Sequence, residues 1–175
     1  MFIPGATSSE ATATAISGTD ILPTTETTVI IEPDNNDSNS SSSSSILIGG
    51  NGDDILISDL GQDELTGGAN ADVFVLNTNP NFPNSNPNLA DIITDFNAAE
   101  GDKIGLSENL ITQPLILETF DSNADGSLDA TVIKLGSDSQ SEVLGVVLGT
   151  VSANGQTTLT PTDFTVISNG LLMLS

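Results

Sequence analysis

Asp54, Asp63 and Asp72 recur at nine-residue intervals, and each is followed two positions later by a large apolar residue, Leu56, Leu65 or Phe74. The chemistry open to such an array is narrow. The 175 residues include no histidine and no cysteine, so imidazole-bound zinc, thiolate chemistry and the Ser-His-Asp or Cys-His arrangements are excluded. What remains is carboxylate and carbonyl oxygen, the donor set of a hard cation such as calcium.

The elements that must position these acids follow from the repeat. Residues 49–75 divide into GGNGDDILI, SDLGQDELT and GGANADVFV. Glycines at the first, second and fourth positions open backbone angles closed to other residues, so six residues turn tightly. The last three residues of each copy make a short strand whose central side chain points inward. If one coil takes two copies, residues 18 apart in sequence stack at a strand spacing of about 4.8 Å, and Asp54 comes to lie beside Asp72. Two bare carboxylates so placed repel by roughly 3 kcal/mol at an effective dielectric near 20. A calcium ion bonding oxygen at about 2.3–2.6 Å bridges that spacing, with glycine-turn carbonyls completing its shell.

The charge balance agrees. Twenty-four acids face only two cationic side chains, Lys103 and Lys134, for a net charge of −22. That surface repels nucleic acid and anionic membrane, and it repels itself unless cations gather on it. Without cysteine no disulfide can staple the chain. The opening MFIPGATSSE lacks the basic region and long apolar core of an ordinary secretory signal. The apolar run at 143–149 is too short to span a membrane.

Four segments emerge. Residues 1–45 are rich in Ser, Thr, Asn and acids and end in six serines, the composition of a disordered extension; TVII at 28–31 is its one candidate edge strand. Residues 46–76 hold the repeats. Residues 77–88 form an Asn/Pro loop whose three prolines exclude a central strand. Residues 89–175 carry further short apolar runs (ADIITDF, DKIGL, PLILETF, ATVIKL, EVLGVVLG, DFTVI, GLLML) punctuated by turn residues. The pattern predicts an all-β protein. In the first and third copies the outward strand positions are Ile55, Ile57, Val73 and Val75, against Glu64 and Thr66 in the second. The sheet shared by copies one and three should therefore be covered, most simply by the C-terminal strands.

The three copies match the calcium-binding nonapeptide G-G-x-G-x-D-x-U-x, and the chain resembles the repeat-in-toxin (RTX), hemolysin-type calcium-binding family over about residues 46–167. ADIITDFNAAEGDKIGL looks like the segment closing the calcium β-roll in serralysin-type proteases. EVLGVVLGT and LTPTDFTVI are similar to tails of bacterial, especially cyanobacterial, members. The resemblance implies a short right-handed parallel β-roll, packed on and capped by C-terminal β-strands. The implied ion site lies between turns 49–54 and 67–72, on Gly49, Asn51, Gly52, Asp54, Gly67, Ala69, Asn70 and Asp72. Asn70 stands where a fourth-position glycine is expected, and asparagine tolerates left-handed geometry. Copy two departs further, with Ser58-Asp59 for two glycines and no acid 18 residues upstream. A second, weaker site is expected near Asp59, Gly61 and Asp63, helped by Asp91 or Asp95.

DSNADGSLD at 121–129 spaces Asp121, Asn123, Asp125, Ser127 and Asp129 like the start of an EF-hand loop, with Gly126 at the turn. Val132 replaces the twelfth-position Glu, and the flanks read as strands. A calcium-binding hairpin turn and a plain polar turn fit these residues equally. No protease is implied, because that chemistry needs a zinc-binding His pair. A carboxylate-pair glycosidase lacks any Trp or Tyr to stack a sugar. The expected function is a secreted, non-catalytic calcium module that folds on binding extracellular Ca2+. The competing reading is a cell-surface structural or adhesive protein rigidified by calcium. Family members are commonly exported by type I ABC machinery reading an uncleaved C-terminal signal, and DFTVISNGLLMLS is compatible with one and equally with a final strand.

Overall fold

The computed structural model describes residues 29–31, 44–58, 61–77, 84–137 and 141–168. The candidate extension outside 29–31 and 44–45, together with Asp59 and residues 169–175 of the candidate export signal, lies outside the described residues. Eleven strands are present among the described residues: β1 (Val29–Ile31), β2 (Ile46–Asn51), β3 (Ile55–Ile57), β4 (Glu64–Ala69), β5 (Val73–Val75), β6 (Asp91–Ile93), β7 (Lys103–Ser107), β8 (Leu115–Phe120), β9 (Ala130–Leu135), β10 (Glu142–Leu148) and β11 (Phe164–Ile167). Two single-turn 3-10 segments, Pro87–Leu89 and Pro161–Asp163, complete the inventory.

Strands β1 to β7 alternate between two sheets, ordered β1-β3-β5-β7-β11 and β2-β4-β6-β10-β9-β8. The nonapeptide period produces this directly: Leu47 pairs with Leu65 and Leu56 with Phe74, both 18 residues apart. Strands β2 to β7 each bury an apolar side chain between the sheets. Leu56, Phe74 and Ile104 from one sheet meet Leu47, Leu65 and Ile93 from the other, all buried in one core. Burying side chains of this size contributes roughly 1.5–3 kcal/mol each, the main return on ordering so many turns.

The roll does not stop at residue 76. β6 joins β4 in parallel, β7 joins β5, β10 joins β6 and β11 joins β7. The C-terminal strands therefore cap the roll by extending both sheets, and β9 and β8 finish one of them as antiparallel strands. Ile57 and Val75 are buried. Part of that cover comes from β11, whose Ile167 side chain lies against Gly105 beside Val75. The candidate edge strand at 28–31 is present as β1, paired with β3. In the Asn/Pro loop, Asn84 accepts a hydrogen bond from the Val143 amide at 2.6 Å, tying the loop to β10.

Candidate metal centre

Each turn of the roll lies on one of two edges. The first edge carries the turn after β2, the turn after β4 and the turn between β6 and β7. Gly50 stacks on Gly68 and Asn51 on Ala69, so the residues of the implied site are brought together. Gly50, Gly52, Gly68 and Asn70 all have positive φ, Asn70 at 87°. The asparagine thus adopts the conformation the fourth-position glycine takes in the first copy.

The aspartates form a ladder along this edge. The Asp54 amide donates to Asp72 Oδ1 at 2.9 Å, and the Asp72 amide donates to Asp102 Oδ1 at 3.0 Å. Asp102 Oδ2 accepts from the Asn97 amide at 2.8 Å. Asp54, Asp72 and Asp102 are all buried. Asp72 Oδ2 is fully enclosed and has no hydrogen-bond partner. Burial, aided by repulsion from Asp102, Asp54 and Asp95 and opposed by the Asp54 amide, pushes the Asp72 carboxyl up from 3.8 to about 6. Burial likewise raises Asp102, against the pull of the Asp72 and Asn97 amides.

The glycines are there to make room for these oxygens. A Cβ on Gly67 would collide with Asp72 Oδ2, and one on Gly49 would sit 2.5 Å from both Asp54 Oδ2 and the Gly67 carbonyl oxygen. Two acceptor oxygens from neighbouring coils therefore flank one small space that a side chain would fill. Neither protein cation serves it. Lys103 Nζ donates to the Thr162 carbonyl, and Lys134 Nζ pairs with Glu118 at 2.5 Å. Among the described residues no three acidic side chains converge as a stand-alone metal cluster.

The opposite edge repeats the ladder with other residues. The Ser45 amide donates to Asp63 Oδ1 and the Asp63 amide to Asp91 Oδ1, each at 3.0 Å. Gly61 lies on this edge at φ 146°. Of the two acids offered as helpers of Asp63, Asp91 lies beside it and Asp95 does not. Asp95 follows β6, a strand length away on the first edge, where its two carboxylate oxygens accept from the Gly67 and Gly68 amides at 2.9 Å each.

The 121–129 segment is the β8–β9 hairpin turn. Asp121 accepts from the Asp125 and Gly126 amides, Asn123 from Asp125 and Asp125 from Ser127. Asp129 takes the Ser122 amide and hydroxyl, both at 2.8 Å. Those two bonds hold its pKa below 3.8. Four side chains thus brace the turn through backbone amides.

Asp102 is the ladder residue absent from the expected set. The hidden signal is the triplet Asp-x-apolar: Asp102-Lys103-Ile104 repeats Asp72-Val73-Phe74, and Asp91-Ile92-Ile93 repeats Asp63-Glu64-Leu65.

Fold and edge define a class: a parallel β-roll whose tight turns stack acids along its edges. Comparison with known families agrees. The family described as Peptidase M10 serralysin C terminal matches residues 40–166, well over half of the 175 residues. The chain belongs to that RTX-type repeat family, whose members generally bind calcium. A search of curated proteins finds no match. Seventeen chains of solved structures match. One is the solution structure of the AlgE6R3 subunit from the Azotobacter vinelandii mannuronan C5-epimerase. It has 19% identity and a TM-score of 0.42, over 85% of this chain and 83% of that one. No helix among the described residues is long and apolar enough to cross a membrane.

Proposed function

We propose that the chain is a secreted, non-catalytic module that takes up calcium between turns 49–54 and 67–72 and completes its fold by doing so. The observation that carries this is Asp72 Oδ2, enclosed and without a hydrogen-bond partner in a column of acids that neither lysine reaches. An unpaired buried carboxylate is expensive, and a divalent cation is the partner that removes the cost. Asp54 and Asp72 would hold the ion through their carboxylates, with carbonyls of the 49–52 and 67–70 turns completing the shell. The Asp63–Asp91 edge is the weaker second candidate.

Calcium supplies charge neutralisation and oxygen bridging; the chain supplies a preset turn. Because Asp54 and Asp72 belong to neighbouring coils, an ion held by both would add its binding free energy to the folding free energy. The fitting affinity range is that of extracellular modules, on the order of 10⁻⁴–10⁻³ M, which would leave the fold marginal and partly open inside a cell and ordered outside it. Far-UV circular dichroism over a calcium titration, with magnesium as control, tests this. Strand signal should grow with calcium in that range and not with magnesium. Strand content unchanged from chelator to millimolar calcium would refute the proposal.

A further inference from the structure

We infer that Asp95 is a positioning residue of the metal turn, aiming the Gly67 carbonyl at Asp54, and not itself a member of the second acidic site. The inference rests on the calcium reading above and turns on one peptide plane. In a trans peptide the N–H and C=O bonds point in opposite directions and rotate together. The peptide joining Gly67 to Gly68 has its N–H fixed on Asp95 Oδ2 at 2.9 Å. Its other end, the Gly67 oxygen, stands 2.5 Å from the point a Gly49 Cβ would occupy, as does Asp54 Oδ2. A carboxylate from the third coil thus grips one end of the plane while the other end faces a carboxylate from the first.

The grip is doubled. Asp95 Oδ1 also accepts from the Gly67 amide at 2.9 Å, so two successive peptides are held by one carboxylate. Gly67 and Gly68 close β4, where Gly68 pairs with Gly50, so this peptide lies between β2 of the first coil and the Asp95 carboxylate of the third, which fixes its N–H. Position 95 continues the column of Gly49 and Gly67, since Leu65 pairs with Ile93. The third coil therefore presents a carboxylate where the earlier coils present glycine. Asparagine cannot do the same work, because its amide group would set a donor against one of the two N–H groups.

The test uses the full chain labelled with 13C and 15N, the wild type beside Asp95→Asn. In the wild type, calcium should shift the 13C resonances of the Gly67 carbonyl and of the Asp54 and Asp72 carboxyls together. In Asp95→Asn at saturating calcium the two carboxyls should still respond while the Gly67 carbonyl does not, and calcium affinity should fall about tenfold or more. Thr94→Val, which removes the neighbouring Thr66–Thr94 hydroxyl contact, should leave the Gly67 response intact and so separates aiming from general weakening. An equal Gly67 response in Asp95→Asn overturns the inference. So does a wild-type Gly67 carbonyl that ignores calcium while the carboxyls respond, a result that stands even if the variant fails to fold. Carboxyls that ignore calcium in the wild type overturn the calcium reading itself.

Discussion

Replacing Asp72 with asparagine should move stability in opposite directions with and without calcium. The Asp72 carboxyl is pushed from 3.8 to about 6, first by burial. At about 1.4 kcal/mol per pH unit, keeping it charged at neutral pH costs the metal-free fold up to about 3 kcal/mol. Asparagine removes that charge and keeps an oxygen to accept the Asp54 amide. It also places a buried amide N–H where Oδ2 was, a penalty of about 1–2 kcal/mol. The net gain in chelator is therefore about 1–2 kcal/mol, or roughly 3–8 °C in thermal midpoint for a domain of this size. In calcium the order reverses. At about 100 times its dissociation constant an ion adds about 2.7 kcal/mol, and Asp72→Asn loses most of it. Thermal melts followed by circular dichroism in chelator and in calcium measure both differences. A variant that is less stable than wild type in chelator yet keeps the full calcium gain would show that Asp72 serves hydrogen bonding alone.

Acidification gives a related signature. Because the folded carboxyl binds its proton more tightly than the unfolded one, the Asp72 penalty is fully present above about pH 6 and absent below 3.8. In chelator, wild-type stability should rise as pH falls through that window, and Asp72→Asn should flatten the rise. Glycine substitutions should separate space from backbone strain: Gly67→Ala drives a Cβ into Asp72 Oδ2, whereas Gly50 at φ 115° has nothing within 4 Å. Urea midpoints in calcium should show Gly67→Ala costing clearly more than the roughly 1 kcal/mol expected of Gly50→Ala. Val75→Asp, at a fully buried position, should cost more than about 3 kcal/mol. Thr66→Asp, on a half-buried site, should cost about 1 kcal/mol or less, and equal tolerance at both would contradict the two-sheet assignment.

Where the period is unbroken, the sequence alone predicts strand pairing residue by residue. Leu47 over Leu65 and Leu56 over Phe74 both follow from a period of 18. Beyond residue 76 the period fails while the roll continues, because insertions lengthen the coil. Asp63 and Asp91 are 28 residues apart and Asp72 and Asp102 are 30 apart, so spacing hides a stacking that the Asp-x-apolar triplets still mark. The misplacement of Asp95 has the same origin. Without the coil lengths, nothing in TDFN says which edge receives its carboxylate, and one strand length separates the two. The hairpin at 121–129 shows a different limit. Its metal-like spacing is equally the spacing at which Asp and Asn side chains cap their own turn amides, and the structure shows them doing so.

The ladder explains why aspartate, and not another acceptor, occupies the sixth position. The buried Asp72 carboxylate has two sides with different surroundings. Asp72 Oδ1 fixes the register of its coil by accepting the Asp54 amide, while Oδ2 faces Gly67 with no donor against it. Asparagine supplies one acceptor and so serves only the first side. Serine, as at Ser45, can end a ladder by donating its amide to Asp63, yet brings no charge for an ion. Glutamate adds a methylene in a space where even a glycine Cβ meets carboxylate oxygen at 2.5 Å. The side chain that sets the register thus also carries the enclosed oxygen on which the calcium proposal rests. In the proposed reading, the contact that sets the register of the coils is also the one that leaves Asp72 Oδ2 for an ion.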